Sequence, residues 1–139
     1  MRFKNRYILF EVVRSTGATT ISRQVLWKLI KESIEENFGD FGCSKLFQTL
    51  SIKFYSDLTH LLVLKVDRDF HHIAWAAISF IKSVKTERIM FRSIAVTGHL
   101  VKCCKSAAAI VRERMNAKDC TDEEKLALNS ELKDLMAAK

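Results

Sequence analysis

Residues 61–84, LLVLKVDRDFHHIAWAAISFIKSV, decide the fold of this chain. Leu61 to Val66 is nearly all apolar, which is typical of a central strand buried on both faces of a sheet. Asp69 suits a helix N-cap, because its carboxylate can accept a backbone N–H of the first turn, so we predict a helix from Phe70 to about Val84. The predicted buried stripe of this helix consists of Ile73, Ala77, Phe80, Ile81 and Val84.

Further strands and helices are predicted on both sides of this stretch. Apolar alternation and helical spacing place strands at Tyr7–Val13, Leu50–Tyr55 and Ile89–Val96, and helices at Ser22–Asn37, Leu100–Asn116 and Thr121–Met136. The first helix is expected to stop at Gly39, with a loop through Gly42, because glycine is favoured at helix C-termini. Thr121 and Glu124 form a capping box that opens the last helix.

The element order is β-α-β-β-α-β followed by two helices. This order predicts an α+β, ferredoxin-like (RRM-like) sandwich with a four-stranded antiparallel sheet and helices on one face. The two additional helices are expected either to cover the other face or to extend to a partner. Residues 1–118 are predicted to form this domain, and residues 119–139 an acidic helix within it or peripheral to it.

Composition narrows the class of protein. The chain has 139 residues, no proline and four glycines, which favours one globular domain. No apolar run reaches the ~20 residues needed to cross a bilayer, so no membrane partner is expected. The basic N-terminus lacks a small-residue cleavage site, so we expect no signal peptide and a cytosolic or nuclear protein.

Charge gives the first indication of function. The net charge is +7, but residues 119–139 hold three basic and six acidic side chains. The remaining 118 residues therefore carry an excess of ten positive charges. Such a balance favours an acidic partner, of which nucleic acid is the commonest. Charge alone leaves open the alternative of a basic surface that is merely solvated.

The sequence contains no recognisable catalytic motif. A G-x-x-x-x-G-K phosphate loop, a G-x-S-x-G nucleophile elbow and an H-E-x-x-H metal helix are all missing. The four cysteines and four histidines lack metal-ligand spacing, so no bound metal or catalytic residue is predicted. His71 and His72 are expected to diverge by about 100° around a helix. Leu61 to Val66 has no aromatic residue, which argues against a base-stacking platform on the sheet.

Four segments, in order, resemble one known family. They are Met1–Leu9 (MRFKNRYIL), Phe38–Gly42 (FGDFG), Lys65–Phe70 (KVDRDF) continuing into Ile73–Ile78 (IAWAAI), and Thr97–Cys103 (TGHLVKC). Together they resemble the small "processing of precursor" protein subunit of eukaryotic and archaeal ribonuclease P and ribonuclease MRP. Asp67, His99 and Val101 depart from the basic residue, threonine and arginine usual in that family. Lys102 and Lys105 are available to compensate from the same helix.

The resemblance implies a non-catalytic subunit of a ribonucleoprotein endoribonuclease. Its partners would be a large structured catalytic RNA, precursor tRNA within the complex, and other protein subunits. The RNA would perform the hydrolysis with Mg²⁺ held by its own phosphates, and the protein would bind no cofactor. The reactions would be removal of the 5′ leader from precursor tRNA and, in the sister particle, ribosomal RNA processing. The expected location is the nucleus and nucleolus, or the cytoplasm in an archaeon.

The residues expected to contact RNA are cations near strand ends and at the start of the third helix. They are Arg2, Lys4, Arg6, Lys65, Arg68, Lys102 and Lys105. Arg2, Lys4 and Arg6 alternate along an extended segment and would project to one side, as a phosphate track would require. The alternative is that they solvate an edge strand and discourage aggregation.

Three other functions remain open from the residues alone. They are a general RNA- or ribosome-associated domain, a protein-interaction module with incidental basic charge, and a small metabolic enzyme. For a protein partner, helical spacing turns Trp75 and Ile78 away from the predicted stripe of the second helix. These two side chains would then meet another subunit or the C-terminal helices.

Overall fold

The structure is a computed structural model, and it describes residues 4–15, 21–56, 60–84 and 87–117 together with residues 126, 129, 130 and 133. The strands are β1 (Asn5–Arg14), β2 (Ser51–Ser56), β3 (Leu61–Asp67), β4 (Ser83–Val84) and β5 (Glu87–Thr97), and the helices are α1 (Arg23–Leu46), α2 (His71–Ser79) and α3 (Leu100–Ala117). A 3₁₀ turn, Arg68–Phe70, joins β3 to α2. The predicted capping box of Thr121 and Glu124 lies outside the described residues.

The strands form an antiparallel sheet in the order β2-β3-β1-β5-β4. Ile8 in β1 pairs with Leu64 in β3 on one side and with Val96 in β5 on the other. Strands β1 and β2 run in the same direction with β3 between them, which is the split β-α-β arrangement that the element order predicts. The predicted number of four strands is wrong, because the described part of the chain holds a fifth.

The additional strand is β4, which occupies a segment that was predicted to be the end of the second helix. Ser83–Val84 pairs with Glu87–Arg88, and the N–H of Ile89 donates to the carbonyl of Lys82 over 2.9 Å. Ile81 and Val84 are buried as predicted, but neither lies in a helix. Ile81 follows the turn at the end of α2, and Val84 lies in the short strand β4. The three-residue spacing of Ile81 and Val84 is compatible with a helix, so the helix was predicted to continue to about Val84. In the structure, α2 ends at Ser79.

Both faces of the sheet are covered by helices. Alternate residues of the central strands, such as Ile8 and Leu64, pack against α1 and α2 in the larger core. The intervening residues, such as Leu9 and Val63, pack against α3 in a second core. The third helix contributes Cys103, Cys104, Ala107, Ala108 and Val111 to that second core. The complete burial of Leu61–Leu64 confirms the predicted central strand, and α3 is the helix that covers the other face.

Helix α1 is longer than predicted and is kinked. It begins after Ser22, whose hydroxyl accepts the N–H of Val25 over 3.2 Å, as an N-cap does. Gly39 breaks it with a φ of 60°, a left-handed value that favours glycine. The predicted loop through Gly42 is wrong, because the chain resumes a helix there. A Cβ at Gly42 would lie 2.6 Å from the Cβ of Phe38, so this helix needs glycine where it packs on the preceding turn.

Helix α2 turns a different face to the core from the one predicted. The predicted N-cap at Asp69 is wrong, because Phe70 occupies the N-cap position of α2 and no side chain caps this helix. Asp67 instead caps the preceding 3₁₀ turn, where its carboxylate accepts the N–H of Asp69 over 2.9 Å. Ile78 is fully buried and Trp75 packs half-buried against the core, so the predicted outward orientation is wrong. Phe80, expected in the core, is 54% exposed. The prediction failed because it counted residues beyond the helix end, and these shifted the centre of the stripe.

Candidate nucleic-acid interface

The sheet brings several predicted cations to one end. Strand β1 begins there, and β3 and β5 end there, since Asn5 pairs with Asp67 and Tyr7 pairs with both Lys65 and Thr97. We call this region the basic end and define it by Lys4, Arg6, Lys65, Arg68 and Lys102. Antiparallel pairing thus places cations from distant parts of the sequence at the same end of the sheet.

The start of β1 is tied directly to the end of β3. The N–H of Arg68 donates to the carbonyl of Lys4 over 2.9 Å. Lys4 is exposed, whereas the Nε of Arg68 lies 3.5 Å from the carboxylate of Asp69. Part of the charge of Arg68 is therefore neutralised within the protein, and Lys4 is the stronger candidate for binding an anion.

A concave site lies beside Arg6. It encloses about 310 Å³ and is lined by Lys4, Asn5, Arg6, Tyr7, Gly98 and His99. The guanidinium of Arg6 donates to the carbonyl of Asn5 over 3.1 Å. A Cβ at Gly98 would lie 3.2 Å from Nη1 of Arg6, so the missing side chain makes room for this guanidinium. Two cations beside the start of α3 form an environment suited to a phosphate group.

A second concave site lies beside Lys65. It encloses about 480 Å³ and is lined by Asn5, Gln48, Thr49, Leu50, Ser51 and Lys65. Asn5 lines both sites, so Lys65 lies on one side of it and Arg6 on the other. The sequence did not indicate Asn5 or the polar turn Gln48–Thr49, because such residues are ordinary in loops and only the folded chain groups them with cations.

The predicted phosphate track of Arg2, Lys4 and Arg6 lies at and before the start of β1. Arg2 lies outside the described residues, and Lys4 precedes β1. Arg6 falls in the alternation of Ile8 and Phe10, so it belongs to the face covered by α1 and α2. Lys65 falls in the alternation of Leu61 and Val63 and belongs to the α3 face. The basic end therefore presents cations on both faces of the sheet.

Helix α3 adds a row of exposed cations. Lys102 and Lys105 are exposed because Cys103, Cys104 and Ala107 occupy the buried face. Arg112 is also exposed and follows Lys105 by seven residues, which is close to two helical turns. Arg112 was not among the predicted RNA-contacting residues, because those were limited to cations near the start of the helix.

Metal-binding clusters and reactive thiols are two kinds of group that can support catalysis. The described residues contain no cluster of three or more His, Cys, Asp or Glu side chains able to hold a metal ion. Burial, with Cys104 nearby, raises the pKa of Cys103 to about 12, and burial raises the pKa of Cys104 as well. Desolvation and the neighbouring Glu35 raise the pKa of Cys43. These thiols are protonated at neutral pH and are poor nucleophiles.

The two adjacent histidines do not diverge as predicted. The ring centroids of His71 and His72 are 3.9 Å apart. Nδ1 of His71 lies 2.6 Å from the carbonyl oxygen of Arg68, which holds this ring at the start of α2. The expectation considered only the Cα–Cβ directions, and rotation of the side chains brings the rings together.

These features define the class of the protein. A basic α+β domain with clustered cations is typical of nucleic-acid-binding proteins. Among the described helices, none is both long and apolar enough for a membrane span. The model of the Rpp14/Pop5 family matches residues 6–108, and the chain belongs to this family.

Individual relatives of the chain are POP5 subunits, as the family model leads one to expect. The chain is 32% identical over 125 residues to the ribonuclease P/MRP protein subunit POP5 of Schizosaccharomyces pombe, covering 82% of this chain and 88% of the relative. It is 28% identical to the probable POP5 subunit of Arabidopsis thaliana, covering 96% and 95%. It is 25% identical to the human POP5 subunit, covering 88% and 80%. The family predicted from the sequence is thereby confirmed.

A solved structure has a similar fold. A chain in the cryo-EM structure of yeast ribonuclease MRP superposes with a TM-score of 0.60, covering 96% of this chain and 92% of that one. The sequence identity is 12%, so this likeness concerns the fold.

Proposed function

We propose that this chain is a non-catalytic RNA-binding subunit of ribonuclease P and of ribonuclease MRP. The observation that carries the proposal is the basic end, where antiparallel pairing gathers Lys4, Arg6 and Lys65 around two concave sites. Membership of the Rpp14/Pop5 family and the names of the relatives support the choice of particle. The partner is then a large structured RNA.

The physical role is to relieve repulsion between crowded phosphates. Residues 1–118 carry an excess of ten positive charges, and binding them to RNA releases counterions from the RNA. Guanidinium and ammonium groups at the basic end would fix the position of the protein on the backbone without reading sequence. The protein thereby stabilises the folded form of the RNA that performs the cleavage.

The chemistry belongs to the RNA in this proposal. Mg²⁺ held by RNA phosphates would supply the metal chemistry of the hydrolysis, and the protein would supply no ligand to it. The overall reactions are removal of the 5′ leader from precursor tRNA and processing of ribosomal RNA precursors.

The proposal includes further partners and a location. Precursor tRNA would be present in the assembled particle, and other protein subunits would contact this one. The relatives are eukaryotic, which supports the nucleus and nucleolus as the place of action.

Affinity purification of the tagged full-length chain tests the proposal. We expect it to co-purify with a large structured RNA and with activity that removes the 5′ leader from a precursor tRNA. Nuclease treatment of the particle should abolish the activity, whereas the isolated chain should show none. Recovery of ribosomal RNA alone, or of proteins without RNA, would contradict the assignment.

A further inference from the structure

An exposed phenylalanine lies close to the basic end. Phe41 follows the kink at Gly39 in α1, and 58% of its surface is exposed. The left-handed φ of Gly39 redirects the last turns of α1, and Phe41 is carried by these turns. A single exposed apolar ring is common on protein surfaces, so the case for a binding role at Phe41 depends on its neighbours.

Two neighbouring side chains complete a small aromatic and cationic group. The rings of Phe41 and Phe70 meet edge to face, with centroids 6.3 Å apart. Nζ of Lys45 lies 5.9 Å from the centroid of Phe41 and 5.5 Å from that of Phe70. Lys45 therefore places a positive charge over both rings. We call Phe41, Lys45 and Phe70 the aromatic corner.

The aromatic corner adjoins the basic end through the backbone. Phe70 ends the 3₁₀ turn that begins at Arg68, and Arg68 donates its N–H to the carbonyl of Lys4. A strand of RNA bound at the basic end would thus lie beside the turn that carries Phe70, whose ring contacts Phe41. Aromatic rings beside a cationic track are the usual arrangement where proteins bind unpaired nucleotides.

We propose that the aromatic corner binds one unpaired RNA base by stacking on Phe41, while Lys45 contacts an adjacent phosphate. The inference rests on the proposed function and adds a requirement for a single-stranded nucleotide near the basic end. It also supplies the stacking residue that β3 lacks. The site lies on the kinked helix and not on the sheet surface.

The surroundings of Phe41 favour a base over an apolar protein partner. Cores of protein interfaces are depleted of charged residues. Phe41 instead neighbours Lys45 and Asp40, and the Arg68–Asp69 pair adjoins Phe70. Two exposed apolar side chains without a charged neighbour between them, Val13 and Met90, instead pair across β1 and β5.

Fluorescence anisotropy with the full-length chain tests the stacking site. The probes are a labelled oligoadenylate of about twelve nucleotides and an abasic oligomer of the same length, each titrated at several salt concentrations. The variants are Phe41→Ala, Phe41→Tyr and Phe80→Ala. Phe80 is the matched control, because it is 54% exposed but follows the far end of α2.

We expect Phe41→Ala to weaken oligoadenylate binding about 5-fold or more without changing the salt slope, because stacking releases no counterions. Phe41→Tyr and Phe80→Ala should bind like the unchanged chain, and Phe41→Ala should bind the abasic oligomer normally. An equal loss on both probes, or no loss on either, would overturn the stacking site. If alanine at Lys4 and Lys65 weakens binding while Phe41→Ala does not, the proposed function stands and only this inference fails.

Discussion

The two ends of the sheet use arginine and lysine in opposite ways. At the far end, Arg14 and Glu87 form an ion pair of 2.9 Å whose side chains are 5% and 2% exposed, and Arg92 pairs with Glu11. At the basic end, no carboxylate of the described residues lies within ion-pair distance of Lys4, Arg6 or Lys65. The comparison indicates that cations at one end hold strands together, while those at the other are available to a polyanion.

The largest effect is expected at the buried pair. Glu87→Ala leaves the guanidinium of Arg14 buried without that partner, so the free energy of unfolding should fall by about 3–5 kcal/mol. Urea unfolding measures this change. Glu11→Ala is the control, because its arginine partner is largely exposed, and its cost should stay below about 1 kcal/mol. Equal costs for the two variants would remove the structural distinction between the pairs.

Next in size is the loss of RNA binding at the basic end. Replacing Lys4, Arg6 and Lys65 together with alanine should weaken RNA binding and reduce the slope of log K against log salt by about 2. Each substitution should change stability by no more than about 0.5 kcal/mol, because these side chains are exposed or half-buried. Binding titrations at several salt concentrations measure the slope.

A matched variant separates the position of charge from its amount. Lys28, Lys82 and Arg88 are exposed cations away from the basic end, and replacing them with alanine removes the same net charge. We expect this variant to retain most of the salt slope. If both triple variants lose affinity equally, net charge alone governs RNA binding. The cations of the basic end would then contribute no more than cations elsewhere on the protein.

The smallest effect is expected at Gly98. Its added methyl group in Gly98→Ala would meet Nη1 of Arg6 at 3.2 Å, and the flexible guanidinium would move aside. RNA affinity should fall by a few-fold, equivalent to about 1 kcal/mol, with thermal stability nearly unchanged. The effect should vanish when Arg6 is already alanine. A loss of affinity that persists in the Arg6→Ala background would show that Gly98 acts independently.

Much of the fold follows from local sequence. An apolar run without alternation predicted β3, and its residues are buried on both faces. Ser22 precedes the amphipathic residues of α1 and caps that helix. The bounds of β5 and α3 differ from prediction by two residues or fewer at each end. These elements were predictable because their burial and their termini depend on neighbours in sequence.

The errors arise where contacts between elements or between particular side chains decide. Ile81 and Val84 suit a helix or a turn equally, and pairing of Val84 with Glu87 selects the strand. The candidate site shows the same limit. Its cations were recognisable near strand ends, but the concave site beside Arg6 requires Asn5 and Gly98 from opposite parts of the chain. The neutralisation of Arg68 by Asp69 was also invisible, since sequence adjacency alone does not imply an ion pair.

Lysine footprinting of the assembled particle tests the central claim most directly. The rate of acetylation of each lysine is compared before and after the RNA is digested, with mass spectrometry as the readout. We predict that Lys4, Lys65 and Lys102 are protected only while RNA is present, and that Lys28 and Lys82 react equally in both states. Protection of Lys28 and Lys82 with free reaction at Lys4 and Lys65 would contradict the account.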